Sequence, residues 1–170
     1  LLGGNGDDYL EGGADNDYLY GGEGYDLLNG GFGDDSLYGN GGNDMYVFNR
    51  CFGGDYISDF QGTSTLYFEE RSLSDFTIKL LSSRYKSVEF TTSTNDRLVI
   101  DGFLDFADKF IFQFENDGEG SYYLKSNDDG LCETGRLVFV DEYITEKTDL
   151  EKFKADPQAY EWSFRIWNSY

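Results

Sequence analysis

Five aspartates, Asp8, Asp17, Asp26, Asp35 and Asp44, recur at intervals of nine along the first 47 residues. Each is the sixth residue of a nonapeptide: Gly3–Glu11, Gly12–Tyr20, Gly21–Asn29, Gly30–Tyr38 and Gly39–Val47. Every nonapeptide opens on glycine, and its eighth residue is Leu10, Leu19, Leu28, Leu37 and finally Tyr46. A carboxylate repeated in phase with glycines is a donor set for a hard cation. The side chain supplies oxygen, and glycine turns can present backbone carbonyls inward. A flexible Gly/Asp-rich linker would give no reason for leucine to keep the same phase.

The elements that must hold these carboxylates follow from the same period. The Gly/Asp half of each repeat has to turn, and the remaining three residues suffice for a minimal strand. In that strand the eighth residue faces one way and its neighbours the other. Two repeats make one coil of turn, strand, turn, strand. Stacked coils then form two narrow parallel sheets with the leucine ladder between them. Aspartates 18 apart (Asp8/Asp26, Asp17/Asp35, Asp26/Asp44) stack directly in this geometry. At the ~4.8 Å spacing of paired strands, like charges repel by up to ~3 kcal/mol at an effective dielectric of ~20. One buried leucine per repeat recovers only a fraction of the entropy lost in ordering it. The coil therefore needs a counter-ion. Calcium takes about six to eight oxygens at ~2.3–2.6 Å, and its binding energy becomes folding energy.

The locked columns resemble the nonapeptide calcium repeat of RTX proteins, over about the first third of the chain. The resemblance implies a parallel β-roll (RTX solenoid); with a β-rich C-terminal cap and one short helix read from the residues that follow, the expected fold is all-β. It also implies that each ion lies between loop n and loop n+2. The ligands would be carbonyls of the second and fourth positions of one loop, of the first and third of the other, and both sixth-position carboxylates. Carried onto this chain, one site uses Gly4, Gly6 and Asp8 with Gly21, Glu23 and Asp26. A second uses Gly13, Asp15 and Asp17 with Gly30, Phe32 and Asp35, and a third Gly22, Gly24 and Asp26 with Gly39, Gly41 and Asp44. Asp15 stands where the family has a fourth-position glycine, and Asn40 where it has a second-position glycine. Both residue types tolerate the left-handed region, so weakening rather than loss is expected. Gly53–Ile57 looks like a sixth loop, with Asp55 lying 11 residues after Asp44. This resembles the stretched final turns of RTX blocks and gives a fourth site from Gly31, Gly33 and Asp35 with Asp55. Three to four Ca2+ ions are the expected cofactors.

Residues 63–125 drop the Gly/Asp pattern and alternate apolar with polar, as half-buried strands do. Phe76–Leu80, Val88–Phe90, Leu98–Ile100 and Phe110–Phe114 are examples. The order Leu73–Ile78, Asn95–Ile100, Phe110–Phe114, Asn116–Gly118 resembles, more loosely, the segment that follows haemolysin-type repeats. Its implied role is to close the open edge of the solenoid. Beyond it, Leu137–Val140 reads as a strand, and Thr148 with Glu151 as a capping box opening a short helix over Asp149–Ala155. Pro157 ends that helix, and Tyr160, Trp162, Phe164 and Ile166 alternate as a strand. The domain reading is 1–62 β-roll, 63–130 cap and 131–170 strand–helix–strand flank.

Composition narrows the function. The 170 residues carry 33 Asp and Glu against 13 Lys and Arg, a net charge of −20. Residues 1–60 hold 12 acids and Arg50 as their sole base. This argues against nucleic acid and anionic membrane as partners. There is no histidine, which removes Ser-His-Asp triads and His-ligated zinc. No apolar run approaches the ~18 residues of a transmembrane segment. Leu1 occupies the eighth position of an earlier repeat, so the chain reads as a piece of a longer protein, monomeric as a fragment. Cys51 and Cys132 fit either a disulfide or two half-buried thiols. Acidic pairs such as Glu69/Glu70 are expected by number alone in so acidic a chain, and no enzyme is read from them. The aromatics, 18% of residues, read as core filler. The alternative is a sugar-stacking site, with Tyr160, Trp162, Trp167 and Tyr170 foremost.

The functional expectation is a calcium-binding module of a larger toxin, adhesin or exoenzyme, secreted or on the bacterial cell surface. The resemblance implies type I export, with folding triggered by extracellular calcium, since sites of about 10⁻⁴–10⁻³ M affinity stay empty in the cytosol. The competing reading is an adhesin domain in which calcium merely rigidifies a surface that grips glycan or the host cell surface.

Overall fold

The nine-residue period winds the chain as a parallel β-solenoid of about four turns. The computed structural model describes residues 1–82, 87–103, 109–117, 120–125 and 138–143. The repeats supply β1 (Leu2–Asn5), β2 (Tyr9–Ala14), β3 (Tyr18–Glu23), β4 (Leu27–Phe32), β5 (Ser36–Gly41) and β6 (Met45–Phe48). They continue into β7 (Gly54–Ile57) and β8 (Ser64–Phe68). Odd strands stack in one sheet and even strands in the other. The register is one coil of two repeats: Leu10 pairs with Leu28 and Leu19 with Leu37. At the sixth loop the step lengthens, so that Leu37 pairs with Ile57 and Tyr46 with Leu66. The two extra residues are absorbed in the loop, and both columns stay in line.

Strands β2 to β5 span six residues rather than the minimal three. Pairing runs on through the glycines into the next loop, as with Gly13 on Gly31 and Gly22 on Asn40. The neighbouring coil is where the backbone N–H and C=O groups of those glycines find partners.

The following strands extend both sheets. They are β9 (Phe76–Ser82), β10 (Ser87–Thr92), β11 (Arg97–Ile100), β12 (Phe110–Phe114), β13 (Gly120–Lys125) and β14 (Val138–Tyr143). Strand β11 lies parallel on β7, and β12 parallel on β8. Antiparallel β10 and β9 then complete one seven-stranded sheet, and β13 and β14 the other. Among the described residues, helical structure is limited to 3-10 turns such as Leu73–Asp75 and Glu115–Asp117. None of those helices is long and apolar enough to cross a membrane. The helix expected over Asp149–Ala155, the strand at Tyr160–Ile166, and Cys132, Trp167 and Tyr170 all lie outside the described residues. Cys51 is exposed rather than half-buried.

One core runs through the roll and the strands beyond it. Leu10, Leu19, Leu28, Leu37 and Tyr46 are buried between the sheets, and Ile57 and Leu66 continue their lines. Aromatics take over further along. Phe68 stacks on Phe48 and on Phe114, both at 5.0 Å, and Phe90 stacks on Phe112 at 5.2 Å. A smaller cluster forms from Leu27, Met45 and Val47 with Tyr67. Leucine and methionine at the seventh position are thus buried as well as the eighth-position column.

Candidate metal centre

The loops repeat their backbone conformation as faithfully as their sequence. The second position of every repeat has positive φ: Gly4, Gly13, Gly22, Gly31 and Asn40. So does the fourth: Gly6, Asp15, Gly24, Gly33 and Gly42. Asp15 and Asn40, the two departures from glycine, take φ of 73° and 72°. Both hold the left-handed conformation that the expected sites require.

This alternation aims the carbonyls between coils. A Cβ on Gly22 would collide with the Gly4 carbonyl oxygen, and one on Gly24 with that of Gly6. The carbonyls of the second and fourth positions therefore point up at the next coil. Others point back: a Cβ on Gly3 would lie 2.5 Å from Gly21 O, and one on Gly12 2.5 Å from Gly30 O. The third-position carbonyls of Glu23 and Gly41 accept the N–H groups of Gly6 and Gly24 at 2.7 and 2.8 Å. Each retains a second lone pair. Carbonyls of Gly4, Gly6, Gly21, Glu23, Gly30 and Gly41 thus lie at the contacts between loop n and loop n+2.

The sixth-position carboxylates join them. Asp8 N–H donates to Asp26 Oδ1 at 2.9 Å, and Asp26 N–H to Asp44 Oδ1 at 3.0 Å. On the other side Asp17 N–H donates to Asp35 Oδ1 at 2.8 Å, and Asp35 N–H to Asp55 Oδ1 at 3.0 Å. Asp55 therefore stands in column with Asp35 despite the longer step, as the fourth site requires. Asp26, Asp35, Asp44 and Asp55 are buried, whereas Asp8 and Asp17, in the first coil, are half-buried. One oxygen of Asp26, Asp35, Asp44 and Asp55 is thus used. Oδ2 of Asp8, Asp26, Asp35 and Asp44 is buried with no hydrogen-bond partner. In Asp26 and Asp35 it lies against Gly21 and Gly30, where a Cβ would collide with it.

Such oxygens are costly without a cation. Burial pushes the Asp44 carboxyl up to about 8, the Asp59 and Asp26 charges adding to it against the hydrogen bond from Asp26. Burial likewise takes Asp55 up to about 8 and Asp26 to about 6, and raises Asp35. Buried carboxylates outside the repeats find partners within the chain instead. Asp96 is paired with Arg71 at 2.5 Å and takes hydroxyls from Thr92 and Thr94. Asp59 takes the hydroxyls of Tyr46 and Ser64 at 2.8 and 2.6 Å.

The donors fit one class of metal. Among the described residues no three His, Cys, Asp or Glu side chains converge. The arrangement is carbonyls plus one or two carboxylates, a hard all-oxygen set suited to Ca2+ and unsuited to zinc or copper.

Two features were not read from sequence. The fifth position is a clamp: Asp7 Oδ1 accepts Tyr25 N–H, Asn16 Oδ1 accepts Asp34 N–H, and Asn43 Oδ1 accepts Thr63 N–H. Its signal was available, since three of the five fifth-position residues are Asp7, Asn16 and Asn43 and a fourth is Asp34. The second feature is the buried Tyr46–Asp59 contact.

Residues 1–28 and 26–49 match the family model of the RTX calcium-binding nonapeptide repeat, in 4 copies. No curated protein matches the chain. The N-terminal coils, with their paired carbonyls and stacked carboxylates, are a block of RTX calcium-binding nonapeptide repeats wound as a β-roll.

Proposed function

We propose that the chain is a calcium-triggered folding module of a protein exported by a type I system. The observation that carries this reading is the set of four buried Oδ2 atoms without partners, at Asp8, Asp26, Asp35 and Asp44. A fold that buries acceptors this way is poorly stable until a cation supplies the missing interaction. The ions, three to four in number, would be held by the four ligand sets built on Asp8/Asp26, Asp17/Asp35, Asp26/Asp44 and Asp35/Asp55. Calcium supplies charge neutralisation and oxygen coordination there. The chain supplies the spacing, through glycine turns and the Oδ1 hydrogen bonds. Low cytosolic calcium keeps the chain largely extended for export, and millimolar calcium outside completes the fold. The module binds rather than catalyses, and it serves whatever toxin, adhesin or exoenzyme carries it.

Calcium titration followed by circular dichroism tests this. Adding millimolar Ca2+ to chelated protein should raise the β signal cooperatively, with Mg2+ ineffective. Asp26→Ala, shared by two sites, should raise the midpoint more than Asp8→Ala. An unchanged spectrum, or equal effects of the two variants, would count against the shared ladder.

A second reading keeps calcium but makes rigidity its purpose, with a glycan or host surface as partner. It draws on the exposed Tyr18 and on the stacked Tyr20–Tyr38 pair, 4.7 Å between rings. Glycan binding that is present in calcium and lost in chelator would favour it.

A further inference from the structure

Tyr46 alone breaks the leucine column at the eighth position. Its side chain is fully buried in the same core. Packing does not call for a hydroxyl there, since four leucines fill that column without one. The hydroxyl accepts the Gly39 N–H at 2.8 Å. It donates to Asp59 Oδ2 at 2.8 Å, and Ser64 Oγ donates to the same oxygen at 2.6 Å. Gly39 opens the fifth repeat, whose Asp44 is the last carboxylate of the Asp8/Asp26/Asp44 column. The unpartnered Asp44 Oδ2 crowds that glycine too: a Cβ there would collide with it and lie 2.6 Å from the Tyr46 hydroxyl. Asp59 and Ser64 belong to the next coil, where Thr65 pairs with Met45. Ser64 therefore stands where another aspartate would have continued the column.

We propose that Tyr46, with Asp59 and Ser64, is a positioning clamp that holds the Gly39–Asp44 loop against the next coil without a cation. This rests on the calcium reading above. A hydrogen bond to a buried carboxylate is a strong one, and its donors here come from the chain itself. The Asp8/Asp26/Asp44 column is thus followed by hydroxyls on Asp59 rather than by a further orphaned oxygen. The rung built on Asp26 and Asp44 is preformed on one side.

Hydrogen exchange in chelator, with parallel calcium titrations of the full chain, tests the clamp in wild type, Tyr46→Phe, Tyr46→Leu and Asp59→Asn. Tyr46→Leu restores the repeat's own residue and should be harmless if the position is only core. In chelator, wild-type amides of residues 39–46 should exchange more slowly than those of 3–29. All three variants should abolish that difference. In titrations the calcium midpoint should rise by roughly fivefold or more, the effect of one lost buried hydrogen bond. A midpoint within about twofold of wild type in both tyrosine variants would overturn the proposal. So would equal exchange of the two segments in wild type. If Tyr46→Leu does not fold in saturating calcium, Tyr46→Phe, which keeps the ring, decides. A wild type that binds no calcium would sink the calcium reading, while the exchange measurement would still judge the clamp.

Discussion

At the scale of single residues, the same repeat position does not carry the same penalty in every coil. Gly4 and Gly22 are both second-position glycines, with φ of 121° and 127°. A Cβ on Gly4 meets nothing within 4 Å, whereas one on Gly22 collides with the Gly4 carbonyl. In a chain that starts at Leu1, Gly4→Ala should cost only the backbone strain, about 1–2 kcal/mol. Gly22→Ala should cost that and the stacking of two coils, about 3 kcal/mol or more. Denaturant midpoints in saturating calcium measure both, and equal losses would show that stacking does not depend on this close approach. The aspartate and glycine columns were legible in the sequence because a period betrays them. Tyr46 and Asp59 were not. Their contact joins the eighth residue of the last repeat to a carboxylate 13 residues further on that belongs to no repeat, and only the folded core brings the phenol to it.

At the scale of elements, the repeat predicts strands, their parallel pairing and their register, because each strand's partner lies one coil away in sequence. The junction beyond the repeats obeys no such rule. Strand β12 finds β8 across 46 residues, pairing Phe110 with Ser64 and Phe112 with Leu66. Alternation could name these strands but could not say that they would continue the two sheets of the roll. What fixes the junction is aromatic packing. Phe68 on β8 stacks between Phe48 of β6 and Phe114 of β12 and meets Phe76 edge-on at 4.9 Å. Phe68→Ala should therefore cost about 3–5 kcal/mol. It should also separate the unfolding of the roll from that of the strands after it. Thermal unfolding in calcium, followed by near-ultraviolet dichroism, would then show two transitions. A single transition shifted by less than about 1 kcal/mol would place the junction elsewhere.

At the scale of the whole molecule, a chain of net charge −20 folds into a form that buries several of its carboxylates. Protons can neutralise those groups as well as calcium can. Burial holds Asp44 and Asp55 up at about 8 and Asp26 at about 6, against 3.8 for an exposed aspartate. Between those values and 3.8 the metal-free fold binds protons that the unfolded chain does not. Its stability must therefore increase as pH falls through that window, and decrease as pH rises and the buried groups ionise. The full gain is reached only below the unfolded value. In chelator, lowering the pH from about 8.5 to about 5.5 should raise the β signal, because protonation removes the repulsion within the Asp columns. In saturating calcium the same change should do little. Between these limits the calcium midpoint should rise as pH falls, since protons and ions compete for the same oxygens. Dichroism at matched soluble concentration across that range gives the answer. A metal-free chain no better folded at about pH 5.5 than at about 8.5 would mean that charge in the Asp columns is not what keeps the coils apart.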